Sequence, residues 1–442
     1  LADDAALTGD QKSALAISGW LLGANDATDK LPVALSLAAI RAKVLAYLRE
    51  SVAVKRAQLL SELKEMEGAS VERVAQLLSL MKPPEILPPK SERSPGCHDL
   101  TASIPQSGDV RYVVQLPPEY DPLRSYPTSV ALHGAGYPPE LLLDYWAGMT
   151  DQTGSRRGQA MRHGFITIVV DWQKPYQSQY EYSLREHQAV LSSLRDAQRK
   201  FAIDTDRIYL TGHDIGGDAA WDIGLAHPDL WAGVLPVISV GDRFVNRYFD
   251  NSKYVPWYFV NGELDGDKFS RNAREFDRYL RPNWDATVVE FRGRGFEPFS
   301  DEIQRMFDWM NRKRRGPPPR EFECSSMRPW DNFFWWVEVA DLPEKAMVVP
   351  EAWPPKRNVR PVPLSGRVYE NNKLGVQART GKTTVWLSPA MVDFSKPIAV
   401  ELNGRKMNRG SSPIEPSLEV LLEDARSRGD RKHPFWAKVT SP

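Results

Sequence analysis

The strongest chemical signal in the chain is the run Asp206-Arg207-Ile208-Tyr209-Leu210-Thr211-Gly212-His213-Asp214-Ile215-Gly216-Gly217. An apolar, strand-like stretch enters a turn bracketed by Gly212 and Gly216, and a helical pattern follows. Such an elbow lifts its central side chain, here Asp214, clear of a sheet. It also presents that side chain at a helix N-terminus, where backbone N–H groups favour developing negative charge. The arrangement suits a nucleophile beside an oxyanion site. Ile215 is expected to give one oxyanion-binding N–H, and the loop Leu132-His133-Gly134-Ala135-Gly136 a second, from Gly134 or Ala135. Downstream, Gly262-Glu263-Leu264-Asp265 follows a later strand, so Asp265 is the candidate orienting acid and Asp267 its runner-up. A proton-carrying base belongs on the loop Arg292-Gly293-Arg294-Gly295-Phe296-Glu297, where Phe296 occupies the slot.

These residues need a scaffold of alternating strands and helices. Strands are expected at Val110–Leu116, Thr128–Leu132, Phe165–Val170, Arg207–Thr211, Gly233–Ser239, Trp257–Asn261 and Thr287–Phe291. Helical patterns run over Glu181–Phe201, Gly217–His227 and Asp301–Arg312. This alternation predicts an α/β domain over 108–315 with a mainly parallel sheet covered on both faces. Residues 1–82 read as helical, with apolar residues at helical spacing from Ala34 to Leu48 and a helix Val71–Met81 capped by Ser70. Residues 83–107 read as a proline-rich linker. Residues 316–442 read as a small β-rich domain with strands at Phe333–Val339, Gly375–Ala378, Thr383–Leu387 and Ile398–Leu402. Asn403-Gly404 marks a hairpin turn, because both residues tolerate positive φ. A helix over Ser417–Arg428 closes the chain.

Composition narrows the function classes. The 442 residues hold 57 basic and 57 acidic side chains, so no net field draws the chain to nucleic acid or an anionic membrane. The basic run Arg312–Arg315 reads as a solvated face at a domain end. Two cysteines, Cys97 and Cys324, give no disulfide framework and no CxxC metal pair; one bridge between them and two free thiols both stay open. There is no HExxH, Walker loop or dinucleotide fingerprint, so neither metal nor cofactor is expected. No transmembrane span is expected, since Arg41 and Lys43 interrupt the most apolar segment, Leu31–Leu48. The chain starts at Leu1 rather than methionine, which is consistent with removal of an upstream segment such as a signal peptide. Fourteen tryptophans point to thick aromatic packing. The pair Trp335-Trp336 is placed on a strand, one ring in the core and the other against the α/β domain.

Three stretches carry a family resemblance: DRIYLTGHDIGGDAAWDIGLAHPDLWAGVLPV, VNGELDGD and FRGRGFEPFSDEIQRMFDWM. They resemble the secreted esterase branch of the α/β-hydrolase superfamily, which includes polyhydroxybutyrate-depolymerase-like, feruloyl-esterase-like and prolyl-oligopeptidase-like hydrolases. The resemblance covers roughly half the chain and implies an α/β-hydrolase fold, a secreted or cell-envelope location and an ester or carbohydrate ligand. That family carries serine and histidine where this chain has Asp214 and Phe296. Loss of both predicts a catalytically inactive, esterase-like protein with a binding or structural role, in contact with a protein partner or a second copy. GHDxGG also resembles epoxide hydrolases and haloacid or haloalkane dehalogenases, in which aspartate attacks an sp³ carbon. Two features oppose that reading: Phe296 cannot activate the deacylating water, and residues 240–256 are too few for a cap domain. Among the seven histidines, His133 is the candidate to replace the missing base; His213 is expected to point away, and His227 to end a helix. Asp214 could pair with a cation. Asp265 could cap its own loop or pair with Arg292 or Arg294.

Overall fold

The computed structural model describes residues 4–87, 95–105, 107–355, 359–407 and 413–441. Four helices open the chain: α1 (Gly9–Leu22), α2 (Leu31–Arg49), α3 (Ala53–Lys64) and α4 (Val71–Leu80). Thr8 and Gln11 form a capping box on α1, and the Ser70 hydroxyl accepts from the Arg73 N–H on α4, satisfying donors that a helix start leaves open. By length and composition α2 is apolar enough to cross a membrane, contrary to the sequence expectation; it has 19 residues and a mean hydropathy of 1.6. Its buried side, Leu37, Ile40, Val44, Tyr47 and Leu48, packs within the helical cluster.

An eight-stranded sheet follows, built from β1 (Cys97–Ile104), β2 (Gly108–Gln115), β3 (Tyr126–Leu132), β4 (Ile166–Val170), β5 (Ile203–His213), β6 (Gly233–Val237), β7 (Trp257–Leu264) and β8 (Ala286–Gly295). Its spatial order is β1-β2-β4-β3-β5-β6-β7-β8. β2 runs antiparallel to β1 and β4, and the pairings from β4 through β8 are parallel. This is the α/β-hydrolase fold. The connections carry α5 (Pro139–Ala147), α6 (Gln159–Arg162), α7 (Leu184–Lys200), α8 (Ile215–Ala226), α9 (Phe244–Arg247), α10 (Lys268–Tyr279) and α11 (Ile303–Arg312). β1 lies inside the stretch read as linker; Pro88 and Pro89 of that stretch fall outside the described residues. From Asp99 to Ile104 the strand alternates exposed and inward-facing residues, and it pairs in full register with β2; the neighbouring prolines at 83–95 mask that pattern in the sequence.

The C-terminal strands are β9 (Glu321–Ser326), β10 (Phe333–Phe334), β11 (Val337–Ala340), β12 (Val362–Tyr369), β13 (Lys373–Ala378), β14 (Lys382–Leu387), β15 (Ala399–Leu402), β16 (Arg405–Lys406) and β17 (Ala437–Thr440). They form a four-stranded and a five-stranded sheet. Asn403 and Gly404 both have positive φ and join β15 to β16 with Leu402 opposite Arg405, the tight hairpin that the pair predicts. Trp335 and Trp336 lie in the turn between β10 and β11 rather than on one strand, with Trp335 at φ 53°. Trp335 packs against Tyr254 of the α/β domain, and Trp336 against Phe322.

The last helix, α12 (Leu418–Arg428), leaves the β-rich region and buries Leu418, Leu421, Leu422 and Ala425 among α2, α3 and α4. Burying each leucine contributes roughly 1.5–3 kcal/mol, so the N-terminal helices and the chain's end form one packed unit. Of the basic run, Arg315 is not solvated: it pairs with Asp430 at 2.8 Å and Asp206 at 3.4 Å. Cys97 and Cys324 are both buried and are not joined in a disulfide.

Candidate functional site

Asp214 sits between β5 and α8 with φ 56° and ψ −123°, a strained conformation that persists only where neighbours enforce it. The enforcement comes from close backbone crossings. A Cβ at Gly212 would lie 1.9 Å from the Gly216 carbonyl oxygen, and one at Gly216 would lie 2.2 Å from that of Leu132. Only glycine fits at either position, and the spacing seen in the sequence thereby sets the elbow.

The Asp214 carboxylate is held on both sides. Lys268 Nζ donates to Oδ1 at 2.6 Å, and the Ala135 N–H lies 3.4 Å from Oδ2. Lys268 also donates to the Ile238 carbonyl at 2.9 Å. Lys268 is the residue that sequence reading missed. It opens α10, whose apolar residues Phe269, Ala273, Phe276 and Tyr279 recur at helical spacing. A lysine in a first helical turn opposes the helix dipole, at a cost of about 0.3–1 kcal/mol. That misplaced cation was the available signal, and the Asp214 carboxylate offsets it. The cation that Asp214 could accept is therefore this one.

Phe296 lies on the loop after β8, half exposed, with Lys268 Nζ 5.3 Å from its ring centroid. The cation–π contact contributes about 0.5–1 kcal/mol. Asp265 is 95% buried beside α10, where Oδ1 accepts weakly from the Phe269 N–H at 3.4 Å. Its Oδ2 is buried without a hydrogen-bond partner. Asp265 thus caps locally, and among the described residues no arginine pairs with it: Arg294 instead binds Glu297 and Asp301. Asp267 stands at the N-cap of α10 without a side-chain cap bond.

No imidazole bonds to Asp214 among the described residues. The His133 ring meets the Gly134 carbonyl at 3.2 Å and stands 3.6 Å from Asp171, beside Trp172. His213 packs edge-on against Tyr145 at 4.9 Å, and burial lowers its pKa to about 4, so it stays neutral near pH 7. His227 ends α8, as expected. One turn into that helix, burial raises the Asp218 carboxyl to about 7, while its Oδ1 accepts from the Val240 N–H.

Asp214 lines a cavity of about 410 Å³ together with Tyr137, Leu141, Leu142, Tyr145, Met149 and Phe296. Tyr137, Leu141 and Met149 are exposed at its mouth. An apolar body with a polar head would fit this shape. Residues 238–256, between β6 and β7, contain only short helical turns and no cap domain.

The ion pair makes a measurable prediction. Lys268→Met leaves the partly buried carboxylate with one weak donor, and unfolding by urea should show a loss of about 2 kcal/mol, below the range for fully buried pairs. Adding Asp214→Asn should restore most of that loss, because the double change removes the stranded charge. A single variant as stable as the parent would refute the pairing.

No family model matches the sequence, and no curated protein is similar to it. Solved structures with related folds include a thermostable esterase, 22% identical with a TM-score of 0.40, which covers 50% of this chain and 64% of its own. An S-formylglutathione hydrolase from Staphylococcus aureus is 15% identical with a TM-score of 0.39, covering 51% of this chain and 99% of its own. A ferulic acid esterase is 14% identical with a TM-score of 0.40, covering 49% of this chain and 98% of its own.

Proposed function

We propose that this chain is a pseudo-esterase, an α/β-hydrolase fold that binds a small ligand in its cavity without turning it over. The observation that carries this reading is the Asp214 carboxylate, engaged by Lys268 at 2.6 Å and facing the Ala135 N–H. In an esterase, that N–H stabilises the oxyanion formed on the substrate. Here the protein's own carboxylate takes the donor. The lysine holds the lone pairs that a nucleophile needs, and Phe296 can neither accept nor return a proton. Attack on an ester would give a mixed anhydride with no assisted route onward. The cavity suits a ligand with an apolar acyl or aryl body and a polar head that competes for Lys268 and Ala135.

Purified protein should hydrolyse p-nitrophenyl acetate and butyrate no faster than its Asp214→Ala variant. Turnover above that background would establish an active hydrolase instead. For the aspartate-nucleophile alternative, the mass of the Asp214 peptide after incubation with styrene oxide should be unchanged; an alkyl ester on Asp214 would overturn the inactive reading.

A further inference from the structure

A second cluster of chemistry-bearing side chains lies away from the cavity, where the hydrolase domain meets the β-rich region. His187 comes from α7, His227 from the C-terminal end of α8, and Asp331 from the loop between β9 and β10. All three are buried. We propose that His187 Nδ1, His227 Nε2 and Asp331 Oδ1 form a three-ligand site for one divalent transition metal, best matched by zinc.

The three ligand atoms lie within 4.8 Å of one another. His187 Nδ1 is 3.3 Å from His227 Nε2 and 3.8 Å from Asp331 Oδ1. Zinc bonds of about 2.0–2.1 Å in a tetrahedron place neighbouring ligand atoms roughly 3.4 Å apart. The nitrogen pair already has that spacing, and the carboxylate oxygen, up to 4.8 Å from the other ligand atoms, closes by about 1 Å when the ion enters. Asp331 Oδ1 is buried without a hydrogen-bond partner, a condition that calls for a donor or a cation.

The surroundings also orient the ligands. His187 Nε2 stands 3.0 Å from Asp222 Oδ2, which accepts from the Tyr180 hydroxyl at 2.7 Å. With its proton on Nε2 toward Asp222, His187 directs the Nδ1 lone pair at His227 and Asp331. A carboxylate behind a ligating imidazole is a recurrent support of zinc sites. Arg328 binds both oxygens of Asp222 but only Oδ2 of Asp331, leaving Oδ1 clear. Two carboxylates against one guanidinium leave a net negative charge to receive the cation. Imidazole and carboxylate donors together favour zinc over magnesium or calcium. A cavity of about 240 Å³ reaches His227 beside Asn332 and Glu338, which gives the ion and a fourth, water ligand a way in.

The test uses the full chain without a polyhistidine tag, stripped with EDTA. Zinc chloride should load about one equivalent by elemental analysis after gel filtration and raise the unfolding midpoint by several degrees. Cobalt(II) should give the visible bands of a four-coordinate ion. His227→Gln should weaken zinc binding at least ~10-fold, while His163→Gln, on the surface beside Asn311, should leave it unchanged. Uptake well below one equivalent with no thermal shift would overturn the proposal. So would binding insensitive to His227→Gln. If that variant does not fold, loading, thermal shift and cobalt spectrum of the parent decide the matter.

Discussion

Replacing Arg328 with methionine should destabilise the protein by roughly 4 kcal/mol, the cost of stranding buried carboxylates. Arg328 is fully buried. Nη1 donates to Asp222 Oδ2 at 2.8 Å, Nη2 to Asp222 Oδ1 at 3.1 Å, and Nε to Asp331 Oδ2 at 2.5 Å. The guanidinium also lies 4.3 Å from the Phe244 ring centroid. Burial alone would push the Asp222 carboxyl up; Arg328 and His187 instead hold it well below the usual carboxylate range. Methionine fills the volume but supplies no charge, so both carboxylates would have to protonate or draw in water. Because Asp222 belongs to α8 and Arg328 to the β-rich region, the loss should also loosen the contact between them. Urea unfolding followed by tryptophan fluorescence measures the change. Asp222→Asn in the same background should recover part of the loss, since it removes a stranded charge. A destabilisation below about 1 kcal/mol would show that water already screens the pair.

The second large effect is a gain of activity. The triple change Asp214→Ser, Phe296→His and Lys268→Met should hydrolyse p-nitrophenyl acetate at least ~10²-fold faster than the parent. Losing nucleophile and base together costs about 10⁶ in turnover, so even a poorly aligned replacement has room to show. The serine would inherit the elbow, and the Ala135 N–H would be released from the carboxylate it now faces. Asp265, whose buried Oδ2 has no partner, would gain a donor in the new imidazole. Lys268 must go as well, because its ammonium would sit beside the imidazolium that forms during attack and disfavour it. The variant that keeps Lys268 should therefore be the slower of the two. A triple variant as silent as the parent would mean that the two loops, though they line one cavity, do not align base and nucleophile for proton transfer.

The elbow shows why some of this was readable from the residues. Gly212, Asp214 and Gly216 are set by short-range sterics, and the alternation of strands with helices follows from local burial patterns. Ser70 capping α4 and Asn403-Gly404 turning β15 into β16 belong to the same class: each depends on neighbours a few residues away. The positions of Asp265 and Phe296 after their strands follow from the order of a parallel sheet.

What the linear order concealed is pairing between distant segments. Lys268 reaches Asp214 from a helix 54 positions along the chain, and an exposed lysine looks the same in sequence as one aimed at a carboxylate. Helix α12 reads as the end of the β-rich region, yet its leucines complete the N-terminal core. Trp335-Trp336 fits a strand by composition, but the β10–β11 register turns the chain there. His187, His227 and Asp331 share no spacing rule, because α7, α8 and a loop more than a hundred residues downstream meet only when the domains pack. Local sterics and hydrophobic period were enough to specify the scaffold and its elbow. Which charges neutralise one another depended on long-range packing, since a charge finds its partner by distance in space and sequence separation does not encode that distance.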